Sequence, residues 1–210
     1  MILIILAILL AYLIGSVPTS VWIGRAFYNV DVRTKGSGNA GATNTIRVLG
    51  YKAGIPVLIL DVLKGWFAVY IANFFWDESI VFPDLIDLKI ILAIAAVLGH
   101  VFPVYVGFKG GKGIATLLGI GFALYPLAAT IAVGVFVLVL ILTGYVSLSS
   151  IIASVTFPFV EILLLGHNDY ITLMILAIAV AIFVPITHRE NIKRLINKEE
   201  SKFTIKKKKP

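Results

Sequence analysis

The 210-residue sequence has no cysteine, only three histidines, and eleven carboxylates, and charged residues of both signs make up just 14% of it. Each scarcity excludes something. Without cysteine there is no disulfide, no thiolate nucleophile and no Cys-ligated metal, and three histidines leave little for an imidazole metal site. With so few charges beside 60% apolar residues and a mean hydropathy of +1.01, the chain is no soluble globule but an integral membrane protein. A bilayer crossing takes about 20 apolar residues, which allows at most about seven spans and leaves almost nothing for an extramembrane domain. Residues 1–210 therefore read as a single integral membrane domain, with a basic tail over 198–210. The net charge of +7 belongs at the membrane surface, where it favours anionic lipids or anionic substrates; nucleic acid is a poor second.

Apolar stretches cover Met1 to Gly24, about Ala53 to Phe75, Leu88 to Val106, Gly113 to Tyr145, Val146 to Gly166 and Tyr170 to Thr187. The first lacks a basic leader and a cleavage signal and reads as one retained helix. The fourth, at 33 residues, is too long for one ordinary crossing, and Tyr125-Pro126 offers a turn between two short helices. Sixteen of the eighteen basic residues fall in Arg25 to Lys52, in the loop carrying Lys109 and Lys112, and in the segment from His188 onward, so these are expected on the cytoplasmic side. The loop with Asp77, Glu78, Asp84 and Asp87 is expected outside. The N-terminus is then external and the C-terminus cytoplasmic. That parity asks for an odd number of crossings: an all-α polytopic protein of seven transmembrane helices, with five as the runner-up.

Three polar segments fall on the same expected face. Lys35-Gly-Ser-Gly-Asn-Ala-Gly-Ala-Thr-Asn44, followed by Arg47, formally contains G-x-G-x-x-G. A dinucleotide site needs a preceding strand, however, and here Asp31-Val-Arg-Thr-Lys35 precedes it. What remains is a loop whose glycines let backbone amides converge on an anion, with Ser37, Asn39, Thr43 and Asn44 as neutral hydrogen-bonding groups. Gly107-Phe-Lys-Gly-Gly-Lys-Gly113 fails the phosphate-loop spacing, since Val106 stands where the first glycine belongs and Gly113 replaces the Ser or Thr. Lys109, Gly110, Gly111 and Lys112 still suit a phosphate, with the N-terminus of the next helix pointing the same way; the plainer reading is a positive anchor. In His188-Arg-Glu-Asn191 the last helix continues into the cytosol or along the membrane surface; Arg189 and Glu190 read as solvated, whereas His188 and Asn191 share a face. Asp61 and Lys64 are spaced to pair on one helix, and His100 reads first as a packing residue. No metal-ligand cluster, carboxylate pair or Ser-His-Asp arrangement is visible there. Such equipment fits a reaction that already has an activated leaving group and needs orientation and neutralisation of phosphate charge.

Taken together, KGSGNAGATN with a following Arg, GHVFPVYVGFKGGKG, and HRENI with a following basic residue resemble the bacterial acyl-phosphate:glycerol-3-phosphate acyltransferase family, often called PlsY. The resemblance covers nearly the whole chain. It implies a seven-helix enzyme of the bacterial inner membrane, with its site on the cytoplasmic face. The enzyme would move a fatty acyl group from acyl phosphate to the 1-hydroxyl of glycerol 3-phosphate, giving lysophosphatidic acid and phosphate as the first acylation of phospholipid synthesis. It implies no cofactor and no metal. Carried over, the phosphate-binding and catalytic set falls on Ser37, Arg47, Lys112, His188 and Asn191, with Gly36, Gly38, Asn39 and Thr43 shaping the first loop. The proton acceptor is either the phosphate of the donor or His188. The competing class is a transporter or channel for a phosphorylated solute, against which stand the one-faced polar cluster and the lack of an inverted repeat.

Overall fold

In the computed structural model, residues 2–77, 84–165 and 170–203 are described, and helix is their regular structure. The expectations that concern Glu78 in an external loop, Gly166 at a span end and the run Lys206 to Lys209 lie outside the described residues. The helices are α1 (Ile2–Ser16), α2 (Thr19–Tyr28), α3 (Ala42–Leu49), α4 (Tyr51–Tyr70), α5 (Ala72–Phe75), α6 (Leu85–Val101), α7 (Ile114–Leu124), α8 (Pro126–Thr143), α9 (Val146–Phe159), α10 (Ile171–Thr187) and α11 (Arg189–Ile196). They form two compact units, Met1–Pro126 and Leu127–Pro210.

Among the described residues, four segments are long and apolar enough to cross a bilayer: Tyr51–Phe75, Leu85–Val106, Pro126–Thr143 and Val146–Leu164. Two bent pairs, α1 with α2 and α10 with α11, raise the number to as many as six. α7 is apolar but has 11 residues, short of a full crossing. The single N-terminal helix expected over Met1 to Gly24 is instead broken into α1 and α2, which meet at 43°. Pro18 is the cause, because its ring excludes the α conformation of Val17 and supplies no amide to continue the ladder. The 33-residue stretch does split, between Leu124 and Pro126, for the same reason.

Unit 1 is packed as membrane helices pack, with small residues inside and large ones out. Its core is Ala7, Ala11, Ala68, Ile71, Ala72, Leu88, Leu92, Ala95 and Ala96, from α1, α4, α5 and α6 and the link between α4 and α5. Ile2, Phe27, Ile59 and Phe74 are more than half exposed, as lipid-facing side chains are. Two helix crossings depend on glycine. A Cβ on Gly15 would strike the Ala96 carbonyl and one on Gly99 the Tyr12 carbonyl, joining α1 to α6; Gly65 meets the Thr116 carbonyl and Gly119 that of Val62, joining α4 to α7. In unit 2, α9 lays Ser147, Ser149, Ser150 and Ala153 against its neighbours α10 and α11. The hydroxyls of Ser149 and Ser150 donate back to the carbonyls of Tyr145 and Val146, so burying them leaves no donor unmet.

Candidate active site

The first glycine segment of unit 1 leaves α2 at Asn29, whose left-handed φ of 52° caps that helix, and re-enters helix at α3. Between them Asp31 starts a single 3-10 turn, its carboxylate accepting from the Arg33 amide at 3.0 Å. Asn44, on the first turn of α3 and 1% exposed, organises the rest. Its Oδ1 accepts from the Ser37 amide at 2.8 Å, and its Nδ2 donates to the carbonyls of Val32 at 2.8 Å and Lys35 at 3.1 Å. One buried carboxamide thus folds the loop over the helix end. Gly36, at φ +62°, is required twice over: the conformation disfavours other residues, and a Cβ would collide with Asn44 Oδ1. Gly38 is also left-handed, at φ +73°. Ser37 is exposed, and its hydroxyl has no partner among the described residues. Thr43 and Asn39 are partly buried, and Arg47 is exposed one turn along α3.

The second glycine segment follows α6. Gly110 and Gly111 donate their amides to the carbonyls of Val101 at 3.1 Å and His100 at 3.2 Å. These two amides are therefore already engaged and do not stand open to an anion; both glycines are needed for contact instead. A Cβ on Gly110 would strike the His100 carbonyl, and one on Gly111 the His100 ring and the carbonyl of Ala40. The second contact brings the end of the first loop against the middle of the second, directly before Lys112. Lys112 is partly buried and Lys109 exposed, and Gly113, at φ +81°, caps α7. Seven basic residues (Arg25, Arg33, Lys35, Arg47, Lys52, Lys109, Lys112) lie in these two loops and their helix ends, against one acid, Asp31.

That acid is fully occupied. Arg33 donates to it through Nε at 3.0 Å and Nη2 at 2.8 Å, and Arg25 through Nη2 at 2.8 Å. The Arg33 hydrogen bonds hold the Asp31 carboxyl well below the usual carboxylate range, against the opposing pull of burial, and Arg25 adds to the lowering. The arrangement is strongly cationic: its basic residues outnumber its carboxylates, and the one carboxylate is neutralised.

Beneath the loops lies a buried polar network built on Asp61, Lys64 and His100. Lys64 Nζ stands 2.8 Å from Asp61 Oδ1 and donates to the Val17 carbonyl at 3.0 Å, while Thr19 donates to the same Asp61 oxygen at 2.6 Å. His100 Nδ1 is 3.1 Å from Thr116 Oγ1 and 4.0 Å from Asp61 Oδ1. The expected Asp61–Lys64 pair is present, and His100 is a packed residue under Gly111. Beside this network an open apolar groove of about 400 Å³ runs between Ile14, Trp22, Ile23, Leu60 and Phe67, with Lys64 at its wall.

Unit 2 holds His188 and Asn191 at the 59° bend between α10 and α11. Both are buried, at 3% and 7% exposure. His188 Nδ1 lies 2.9 Å from the Val184 carbonyl, and since a carbonyl only accepts, Nδ1 carries the proton in that bond. The neutral ring then presents Nε2 as an acceptor. Asn191 Nδ2 donates to Glu200 Oε1 at 2.8 Å; the same oxygen accepts from Ser147 at 3.0 Å, and Arg194 Nε reaches Glu200 Oε2 at 2.8 Å. Burial pushes the Glu200 carboxyl up, but the hydrogen bonds from Arg194, Asn191 and Ser147 outweigh it and hold the group below its ordinary value. The segment after α11 folds back so that the Phe203 amide donates to Gly144 at 2.7 Å. Arg189 and Glu190 are exposed and 3.8 Å apart, as solvated residues are. Sequence reading missed Asn44 as an organiser, Asp31 with Arg33, and Glu200 altogether. The signal for Asn44 and Asp31 was present, since both residue types favour caps and loop hydrogen bonds; Glu200 sat in a basic segment with nothing to mark it.

Comparison with known proteins places these features in context. The family model for glycerol-3-phosphate acyltransferase matches residues 5–198. A glycerol-3-phosphate acyltransferase of Fusobacterium nucleatum subsp. nucleatum is 46% identical over 93% of this chain and 96% of its own length. One from Chlorobium phaeobacteroides is 40% identical over 91% of this chain and 93% of its own. Among solved structures, PlsY (YgiH), an integral membrane glycerol 3-phosphate acyltransferase, is similar in its glycerol 3-phosphate form with a TM-score of 0.82 at 36% identity, covering 96% of each chain. Its lysophosphatidic acid form gives a TM-score of 0.79.

Proposed function

Because this chain belongs to the glycerol-3-phosphate acyltransferase family, we propose that it transfers a fatty acyl group from acyl phosphate to the 1-hydroxyl of glycerol 3-phosphate, giving lysophosphatidic acid and inorganic phosphate. The observation that carries this reading is the glycine-shaped basic loop pair at the end of apolar helices, which carries seven basic residues and a single carboxylate that two of them neutralise. Arg47 and Lys112 hold phosphate, with Lys109, Gly110 and Gly111 shaping the second loop and Gly36, Gly38, Asn39 and Thr43 the first. The open apolar groove supports a lipid tail reaching unit 1 from the bilayer.

In the reaction the 1-hydroxyl oxygen bonds to the acyl carbon, the carbonyl oxygen gains negative charge, and the bond from the acyl carbon to the phosphate oxygen then breaks. Ser37, Lys112 and Asn191 donate to charge that grows in the transition state, where such donors are most effective. The hydroxyl proton goes to the departing phosphate or to His188, whose Nε2 is the acceptor in the neutral tautomer. No cofactor or metal enters. We take residues 1–210 as one acyltransferase domain in a bacterial inner membrane, crossing seven times with α7 as the shortened crossing. The N-terminus is outside, and the loops and C-terminus are cytoplasmic.

Purified protein in detergent, given acyl phosphate and glycerol 3-phosphate, should release lysophosphatidic acid and phosphate. Turnover with acyl-CoA or acyl carrier protein but not acyl phosphate would overturn the donor assignment. No acyl transfer, with vesicle uptake of a phosphorylated solute, would favour the transporter. For the topology, Lys35, Lys112 and Lys198 should react with a cytoplasm-side lysine label and a probe at Asp84 only from outside; opposite exposure of Lys35 and Lys112 would break the single-face site.

A further inference from the structure

The two glycine loops are joined by one side chain that the proposed chemistry does not use. Arg33 spreads its guanidinium between them: Nε and Nη2 meet the two Asp31 oxygens at 3.0 and 2.8 Å, while Nη1 donates across to the Val106 carbonyl at 2.9 Å and the Lys109 carbonyl at 3.3 Å. Asp31 is itself anchored by the Arg33 amide and by Arg25. Four of the five guanidinium N–H bonds are thus engaged by protein, and the side chain is 19% exposed. Arg33 is not placed to bind substrate.

Its two carbonyl partners bracket an unusual turn. Gly107 and Phe108 are both left-handed, at φ +70° and +60°, and the Phe108 amide returns to Pro103 at 2.9 Å. A bulky residue at positive φ is strained and persists only where its surroundings over-determine it. Phe108 is itself 56% exposed. The restraint on the turn comes from its backbone, and Arg33 is the side chain that grips that backbone on both flanks. Gly110, Gly111 and Lys112 follow directly, so the turn sets where they start.

Resting on the function proposed above, we infer that Arg33 is a positioning residue: anchored on Asp31, it clamps the strained Val106–Lys109 turn and thereby fixes Lys112 for the phosphate-bearing substrate. Arginine is needed because its planar fork binds a carboxylate with one edge and two carbonyls with the other; a lysine ammonium is a single point donor and serves one side only. Phe108→Gly should relieve the clamp's burden, since glycine adopts this φ without strain.

The test uses the full-length protein in detergent and starts with hydrogen exchange, which does not depend on activity. Arg33→Lys, which keeps the charge, should raise amide exchange over 104–112 selectively, leaving α1 and α4 at wild-type rates. It should also raise KM for glycerol 3-phosphate about tenfold, with kcat changing less, an effect within the range that small displacements of a binding group produce. Adding Phe108→Gly to Arg33→Lys should return KM to within about threefold of wild type, while Phe108→Gly alone stays near wild type. Unchanged exchange over 104–112 in Arg33→Lys, exchange raised equally in the helices, or no recovery in the double variant would each overturn the clamp. A wild-type protein that turns over neither substrate, with exchange still raised in Arg33→Lys, would instead overturn the functional reading and leave the clamp standing.

Discussion

In the glycine loops of unit 1 the backbone is tied down and several cations stand loose, whereas at the α10–α11 bend of unit 2 the side chains proposed to act are themselves tied down. Asn44, Arg33 and the paired glycines fix the path of the loops, yet Lys35, Arg47 and Lys109 are exposed with no ion-pair partner among the described residues. His188 and Asn191 are buried, and each has its orientation dictated by a hydrogen bond, to Val184 and to Glu200. The contrast follows from the range of the forces. A full charge attracts a phosphate from any direction and loses strength if it is neutralised by its own protein, so it is best left unpaired. A neutral donor or acceptor acts only along its hydrogen-bond axis, so it has to be aimed beforehand.

The sharpest way to break this comparison is to remove one cation at a time. Lys112→Ala should lower kcat by at least about a hundredfold, the loss of a donor acting mainly in the transition state and worth about 3 kcal/mol. Lys109→Ala should cost clearly less, although it deletes the same charge from the same loop. Lys112 is partly buried and follows the Gly111–Ala40 contact, whereas the Lys109 side chain is exposed and it is only its carbonyl that Arg33 grips. Thermal unfolding of both variants should match wild type. Equal, modest losses confined to KM would mean that both lysines merely attract anions.

A smaller effect should come from the aimed groups. Glu200→Gln keeps the shape but turns one accepting oxygen into a donor, so either Arg194, or Ser147 and Asn191 together, lose their acceptor. We expect about a tenfold fall in kcat, the size of one charge-assisted hydrogen bond, with KM for glycerol 3-phosphate little changed. The carboxyl of Glu200 is held below its ordinary value in the folded protein. Its contribution to stability is therefore present above the unfolded-state pKa and is lost as pH falls through the folded-state value. Melting curves of wild type should drop on acidification, and Glu200→Gln should lack that component. A Glu200→Ala protein, which removes both accepting oxygens, with wild-type kcat would show that Asn191 needs no external aim.

How far the sequence reveals all this differs between the same two regions. Composition and charge clustering were enough for an all-helical membrane chain, and Tyr125-Pro126 marked the break between α7 and α8. Pro18 carries an equally clear signal, but the run of apolar letters continues through it and hides the break. The glycine loops were legible as special, but their reason was misjudged: Gly110 and Gly111 exist for close approach to His100 and Ala40, with their amides already engaged. Such contacts are long-range, and no local pattern encodes them. The Asn191–Glu200 bond depends on a chain reversal after α11, and the Arg33 clamp on two loops 73 residues apart meeting.

The smallest effect we expect is none, on adding a strong chelator. A divalent ion would have to be held by carboxylates or imidazoles, and among the described residues no three such side chains gather as ligands. In unit 1 the loops carry one acid, Asp31, and its oxygens already accept from Arg25 and from Arg33; a cation there would have to displace two guanidinium groups. In the proposed site the charge on a phosphate is met by Arg47 and Lys112 instead, which are fixed to the protein and cannot be stripped from it. Millimolar EDTA should therefore leave both kcat and KM at their untreated values. If EDTA abolished turnover and a divalent ion restored it, the ion would be neutralising the leaving phosphate, and the loops' excess of cations would serve only to gather substrate.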